Sequence, residues 1–181
     1  MESISPSVWF PVVTLVIGLL LKAVFDSWTE NRKAGFDRES RIEKRKEVLL
    51  LQRIDLQRKA LGELQVSIAD MMRATKLVQI ADVADFRQTS IWGKASTPES
   101  VKEAVRESFR AVSLMKVRVS DDAVREMVGK LSSLCVKVTM AKSEDDSDAD
   151  WLAASLLYID SNDKIGEVLR SLEHQEQALL S

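Results

Sequence analysis

Three carboxylates, Asp146, Asp148 and Asp150, stand at alternate positions. That is the spacing of the first oxygen ligands in a calcium-binding helix-loop-helix, where the chain must turn tightly enough for them to converge on one cation. The pattern fails at its next two requirements: Trp151 stands where glycine makes the turn, and Leu157 where a bidentate glutamate closes the shell. Asp160, Asn162 and Asp163 fail the same way, because Ile165 falls at the glycine position. Both groups read as solvated acidic segments, Ser143 to Asp150 as a loop, and no metal is expected.

His174 is the only histidine and Cys135 the only cysteine. A general base or a nucleophile needs a positioned partner, and neither residue has one nearby in sequence. Cys135 follows Leu131 and Leu134 on an apolar helix face, so it reads as a small buried hydrophobe, and as a lone cysteine it implies no disulfide. No phosphate-cradling glycine loop or dinucleotide fingerprint is present, so no cofactor and no enzymatic activity are expected. Basic residues are not interleaved with aromatics on one face, which argues against nucleic acid as a partner.

The elements that would position these residues are helices. Only three prolines and six scattered glycines interrupt 181 residues, without hairpin dipeptides or regular alternation. From about Glu47 to Phe86, Leu50, Ile54, Leu61, Leu64, Ile68, Met71 and Val78 recur at heptad spacing, with Gln57 and Thr75 as polar interruptions. Thr97-Pro98-Glu99 supplies a cap, a first-turn proline and an early carboxylate for the next helix, whose apolar stripe is Val101, Val105, Phe109, Val112 and Met115. Ser120-Asp121-Asp122 opens another, with Val124, Met127, Leu131, Leu134 and Val138 inward. Ser147 and Asp150 fit a capping box for the last helix, expected to bury Trp151, Leu152, Ser155, Leu156, Ile159, Ile165, Leu169 and Leu172.

Upstream lies a different kind of segment. Twelve of the 18 positions from Val8 to Phe25 are Val, Ile, Leu or Phe. At about 1.5 Å per residue the run covers about 27 Å, close to the ~30 Å of bilayer hydrocarbon. Trp9 and Trp28 would sit near the two interfaces, with Lys22 reaching the headgroups through its apolar stem. Pro11 is tolerated in the first turn. The opening Met1-Glu2-Ser3 lacks the basic start of a cleaved signal peptide. Cations follow the run and none precedes it: Arg32, Lys33, Arg38, Arg41, Lys44, Arg45 and Lys46. The bulk of the chain is therefore expected in the cytoplasm and the N-terminus outside.

The expected architecture is all-α: a short extracytoplasmic tail over 1–7, a single transmembrane helix over 8–25, a charged juxtamembrane stalk over 26–46, bent at Gly35, and an antiparallel bundle of about four helices over 47–181. The helix from Glu47 would outreach its shorter neighbours and leave Val48 to Leu51, Ile54 and Leu56 uncovered, unless a kink at Gly62 tucks Val48 to Leu61 into the chain's own core. Helix–helix contacts are accordingly expected at Leu50, Leu51, Ile54 and Leu61, and at Thr14 and Gly18, which share a face of the anchor with Lys22. Charge is uneven: residues 143–181 carry ten acids and two bases, whereas 26–60 carry ten bases and seven acids. Such an acidic end reads first as a solvated surface, with docking of the last helix on the stalk or of a basic partner as alternatives, and the cationic stalk offers contact with membrane lipid. The function expected is a cell-membrane, single-pass helical scaffold or adaptor that self-associates or recruits another membrane or cytoplasmic protein. The alternative is a small oligomeric membrane effector, channel-like or membrane-disrupting, acting in defence or as a toxin.

Overall fold

In the computed structural model the backbone is described for residues 6–93 and 97–180; within these, the side chains of residues 6–14, 16, 17, 20, 23, 24, 30, 31, 34–37 and 180 lie outside the description. The regular elements among the described residues are all helices: α1 (Pro6–Thr89), α2 (Glu99–Lys116), α3 (Asp122–Thr139) and α4 (Glu144–Leu180). The chain divides into two units, residues 1–50 and 51–181.

Where the sequence suggests an anchor, a stalk and a separate helix, the backbone forms the single helix α1. The reason is the lack of a breaker. No proline lies between Pro11 and Pro98, and isolated glycines such as Gly35 and Gly62 cost only about 1 kcal/mol each relative to alanine. That is too little to end a helix supported on both sides.

In the unit 1–50, Leu15, Leu19, Leu21, Lys22, Phe25 and Trp28 are exposed. The Arg32 guanidinium lies 5.4 Å from the centroid of the Trp28 ring. Among the described residues no helix is long and apolar enough to cross a membrane. Most of the Val8–Phe25 side chains, including Trp9 and Thr14, lie outside the described set.

The unit 51–181 is a four-helix bundle built from α1 beyond Leu50 together with α2, α3 and α4. Leu61, Leu64, Ile68 and Met71 of α1 are buried against Val112 of α2, Val124, Val128, Leu131 and Cys135 of α3, and Ala154 and Ile165 of α4. The heptad spacing thus marks the core side of α1. Polar groups set the register. Gln65 donates to Asn162 at 3.4 Å, Gln79 donates to Asp148 at 2.9 Å, and Arg58 pairs with Glu176. Ascending positions on α1 meet descending ones on α4, so the two helices are antiparallel.

Gln57, a polar interruption in the heptads, secures the α2–α3 turn: its amide oxygen accepts from the Ser120 N–H at 2.8 Å and its amide nitrogen donates to the Arg118 carbonyl at 3.2 Å. Thr75, the other interruption, is buried and returns its hydroxyl to the Met71 carbonyl at 2.8 Å. After α1 the backbone turns through Ser90 (φ 55°) and Gly93 (φ 73°). Trp92 between them packs edge-on against Phe86 and donates its indole N–H to the Ala141 carbonyl at 2.8 Å, tying this turn to the one before α4.

The caps differ from expectation at α2, α3 and α4, at α3 because Asp121 rather than Ser120 takes the capping role. Pro98, with ψ 143°, is itself the boundary residue of α2, and no side chain caps that end; Thr97 does not. Asp121 caps α3, its carboxylate accepting from the Val124 N–H at 2.9 Å. α4 starts at Glu144, with the Ser143 hydroxyl accepting from the Asp146 N–H at 3.1 Å. The acidic stretch expected as a loop is therefore the first two turns of α4, where Glu144, Asp145 and Asp146 oppose the positive end of the helix dipole. Ser147, expected as the cap, is buried inside the helix.

Candidate functional site

The aspartate trio is helical, and alternate helical positions point about 200° apart, so these carboxylates cannot converge on one cation. Asp148 instead accepts the buried Gln79 amide. Among the described residues no group of acids, histidines and cysteines is arranged to hold a metal ion. His174 is exposed near the end of α4. Cys135 is buried, its Sγ lying 3.6 Å from Met72 Sδ, and desolvation pushes its thiol above the ordinary range. A thiol held protonated is a poor nucleophile.

The feature that stands out is the outer side of α4. The sequence points Leu152, Leu156 and Ile159 inward, yet they are 62%, 57% and 56% exposed, while Ala154 and Ser161 are almost wholly buried. Small residues face the bundle because they let α4 approach α1 and α3 closely. Ser161 satisfies its hydroxyl on the Leu157 carbonyl at 2.6 Å, so the buried oxygen needs no partner from another helix. Leu152, Leu156 and Ile159 take the opposite arc, where nothing among the described residues buries them.

Beside them runs a matching stripe on α1: Val66, Leu77 and Ile80 are all exposed. Between the two helices lies an open groove of about 540 Å³, lined by Ala69, Met72, Arg73, Lys76 and Leu77 on α1 and by Trp151, Ser155, Tyr158 and Ile159 on α4. Its floor is braced by the Lys76 ammonium, which sits 4.7 Å from the Trp151 ring centroid and donates to the Gln79 amide oxygen at 2.9 Å. The α1 ridge carries the exposed cations Arg73 and Arg87 and one exposed acid, Asp70, 3.7 Å from Arg73, and the α4 ridge the exposed acids Asp145, Asp160 and Asp163. A smaller hollow of about 360 Å³ adjoins the groove, with Lys76 and Arg87 facing Glu144 and Asp148. Such a face is suited to hold an amphipathic helix; it offers no pair of groups poised for bond making.

The residues singled out from sequence are distributed differently. Ile54 and Leu61 are buried inside the bundle, so their contacts are within the chain. Leu51 is partly exposed and Leu56 exposed; Val48, Leu49 and Leu50, in the other unit, are exposed. Gly18 is described, and a Cβ added there would meet nothing within 4 Å, so no contact within the chain requires a glycine. The groove residues, and the roles of Gln57, Gln79 and Trp92, were not signalled by sequence. Each depends on partners at least 49 residues away. The only sequence-level hint was the density of aliphatics on α4. No protein-family model, curated protein or solved structure matches this chain.

Proposed function

We propose that this chain is a membrane-anchored helical scaffold: residues 8–25 cross the bilayer once, the bundle lies on the cytoplasmic side, and the α1–α4 face docks another helix. The observation that carries the reading is the outward-facing aliphatic stripe of α4 beside the exposed stripe of α1. Fully burying one aliphatic side chain stabilises by roughly 1.5–3 kcal/mol. Six half-exposed ones therefore hold on the order of 5–9 kcal/mol of unrealised burial. Association in solution costs about 4–15 kcal/mol in lost freedom, so this face alone is marginal. Confinement to a membrane raises the effective concentration of partners by orders of magnitude and shifts that balance. The anchor and the face thus complement each other: one supplies proximity, the other specificity.

The apolar run supports anchoring through its length and composition, and the cations that follow it support the orientation. The test is alkaline extraction of membranes from cells making the full chain, combined with replacement of residues 8–25 by an unrelated spanning helix. The chain is expected to resist extraction, and the replaced chain to retain its bound partners. Release by alkali would contradict the anchor. Loss of activity with recruitment intact would show that the anchor itself acts, as an oligomeric membrane effector requires.

A further inference from the structure

We propose that the occupant of the α1–α4 face is a second copy of this chain, related by a twofold axis running parallel to the two helices. This deepens the docking reading above and takes its face from it. A twofold interface is self-complementary, because each copy presents the same patch. An axis along α1 and α4 lays α1 of one copy over α4 of the other. The alternative axis, in the same plane but across the helices, lays like on like.

Charge distinguishes the two arrangements. The α1 ridge presents Arg73 and Arg87 with one acid, Asp70, which lies 3.7 Å from Arg73, and the α4 ridge presents Asp145, Asp160 and Asp163. With α1 over α4, each basic ridge meets an acidic one twice over; with α4 over α4, three exposed acids of each copy face each other across a low-dielectric seam. The antiparallel register supports the first arrangement as well. Lys76 already lies over Trp151 and Gln79 bonds Asp148, so residues near 77 on α1 share a level with those near 150 on α4. That axis preserves levels, which sets Leu77 of one copy over Leu152 of the other.

Size is adequate. Six exposed aliphatic side chains of roughly 100 Å² each give on the order of 600 Å² of apolar surface, against the ~800 Å² per partner that a standard interface buries. The charged ridges make up the remainder, giving an apolar centre and a polar rim.

The test uses full chains of two variants, Leu77→Cys and Leu152→Cys, reconstituted together in the same vesicles of neutral phosphatidylcholine and then oxidised; Cys135 is buried in both. The expected product is the disulfide between the two different variants, in excess of either like pair. Adding Leu156→Glu and Ile159→Glu should cut its yield at least about tenfold, with the helical circular dichroism of each chain unchanged because both positions are exposed in the protomer. Predominance of the 152–152 product would overturn the proposed axis. A yield indifferent to the two glutamates, or no cross-link at all, would overturn the second copy as occupant. Flotation of the same vesicles reads the anchor separately: protein left at the bottom of the gradient counts against the anchoring reading, not against the pairing of faces.

Discussion

α3 and α4 resolve the same amphipathic problem in opposite ways. α3 turns Val124, Val128, Leu131 and Val138 into the core and leaves charged residues outside. α4 turns Ser147, Ala154, Ser161 and Ile165 inward and leaves Leu152, Leu156 and Ile159 outside. In α3 the apolar stripe is a folding signal that the bundle consumes. In α4 the inward arc combines the small residues with Trp151, Leu157, Ile165, Leu169 and Leu172, and a second aliphatic stripe is left over. What such a helix leaves uncovered is available to something else.

The contrast breaks most directly at its buried half. Leu131→Ala on α3 deletes a fully buried side chain packed against α1 and should cost about 2–5 kcal/mol in urea unfolding. Leu152→Ala on α4 deletes a side chain of the same chemistry that is mostly exposed, and should stay within about 0.5 kcal/mol of the parent. Equal losses would mean that the outer stripe of α4 is structural after all.

A smaller effect sharpens the account of how the helices begin. Asp121→Ala removes the carboxylate that accepts from the Val124 N–H and should cost about 1 kcal/mol. Thr97→Ala, at the position the sequence suggests as a cap, removes no such bond and should leave the stability of α2 unchanged; denaturation midpoints of the two variants compare them.

The smallest expected effect lies at the end of α1. Burial, reinforced by the neighbouring Asp85 carboxylate, pushes the Asp82 carboxyl above the usual range. A folded-state pKa above the unfolded one means that the folded chain holds the proton more tightly, so stability falls as pH rises through the carboxylate range. Asp82→Asn should therefore raise Tm at pH 7. The gain should vanish at pH values below the unfolded carboxylate pKa. A lowered Tm at pH 7 would mean that the charged form is favoured in the fold.

Much of this architecture was legible. The heptad positions Leu61, Leu64, Ile68 and Met71 are core residues because they recur on one arc over several turns, which hydropathy detects without knowing the partner. The starts of α2 and α3 were legible to within about a residue, because Pro98 and Asp121 act through bonds to their own neighbours. The inward face of α4 was legible in part: Trp151, Ile165, Leu169 and Leu172 pack in or against the core as expected, whereas Leu152, Leu156 and Ile159 do not. Periodicity reports which residues share an arc, and on α4 Leu152, Leu156 and Ile159 form an apolar arc of their own. Which arc is buried depends on how closely neighbouring helices approach, and that is set by Ala154 and Ser161, residues that carry little hydropathic signal. Gln57 and Gln79 were illegible for a related reason: a polar residue in an apolar seam reads as an interruption until its partner is known.

The central claim is that the outer stripe of α4 is covered when the protein is in its membrane. The rate of thiol labelling at Leu156→Cys tests it, compared with Lys130→Cys on the exposed side of α3, while the buried, high-pKa Cys135 stays silent in both. In native membranes Leu156→Cys should label at least about tenfold more slowly than Lys130→Cys, and the two should converge on dilution into detergent. Equal rates in the membrane would contradict the account.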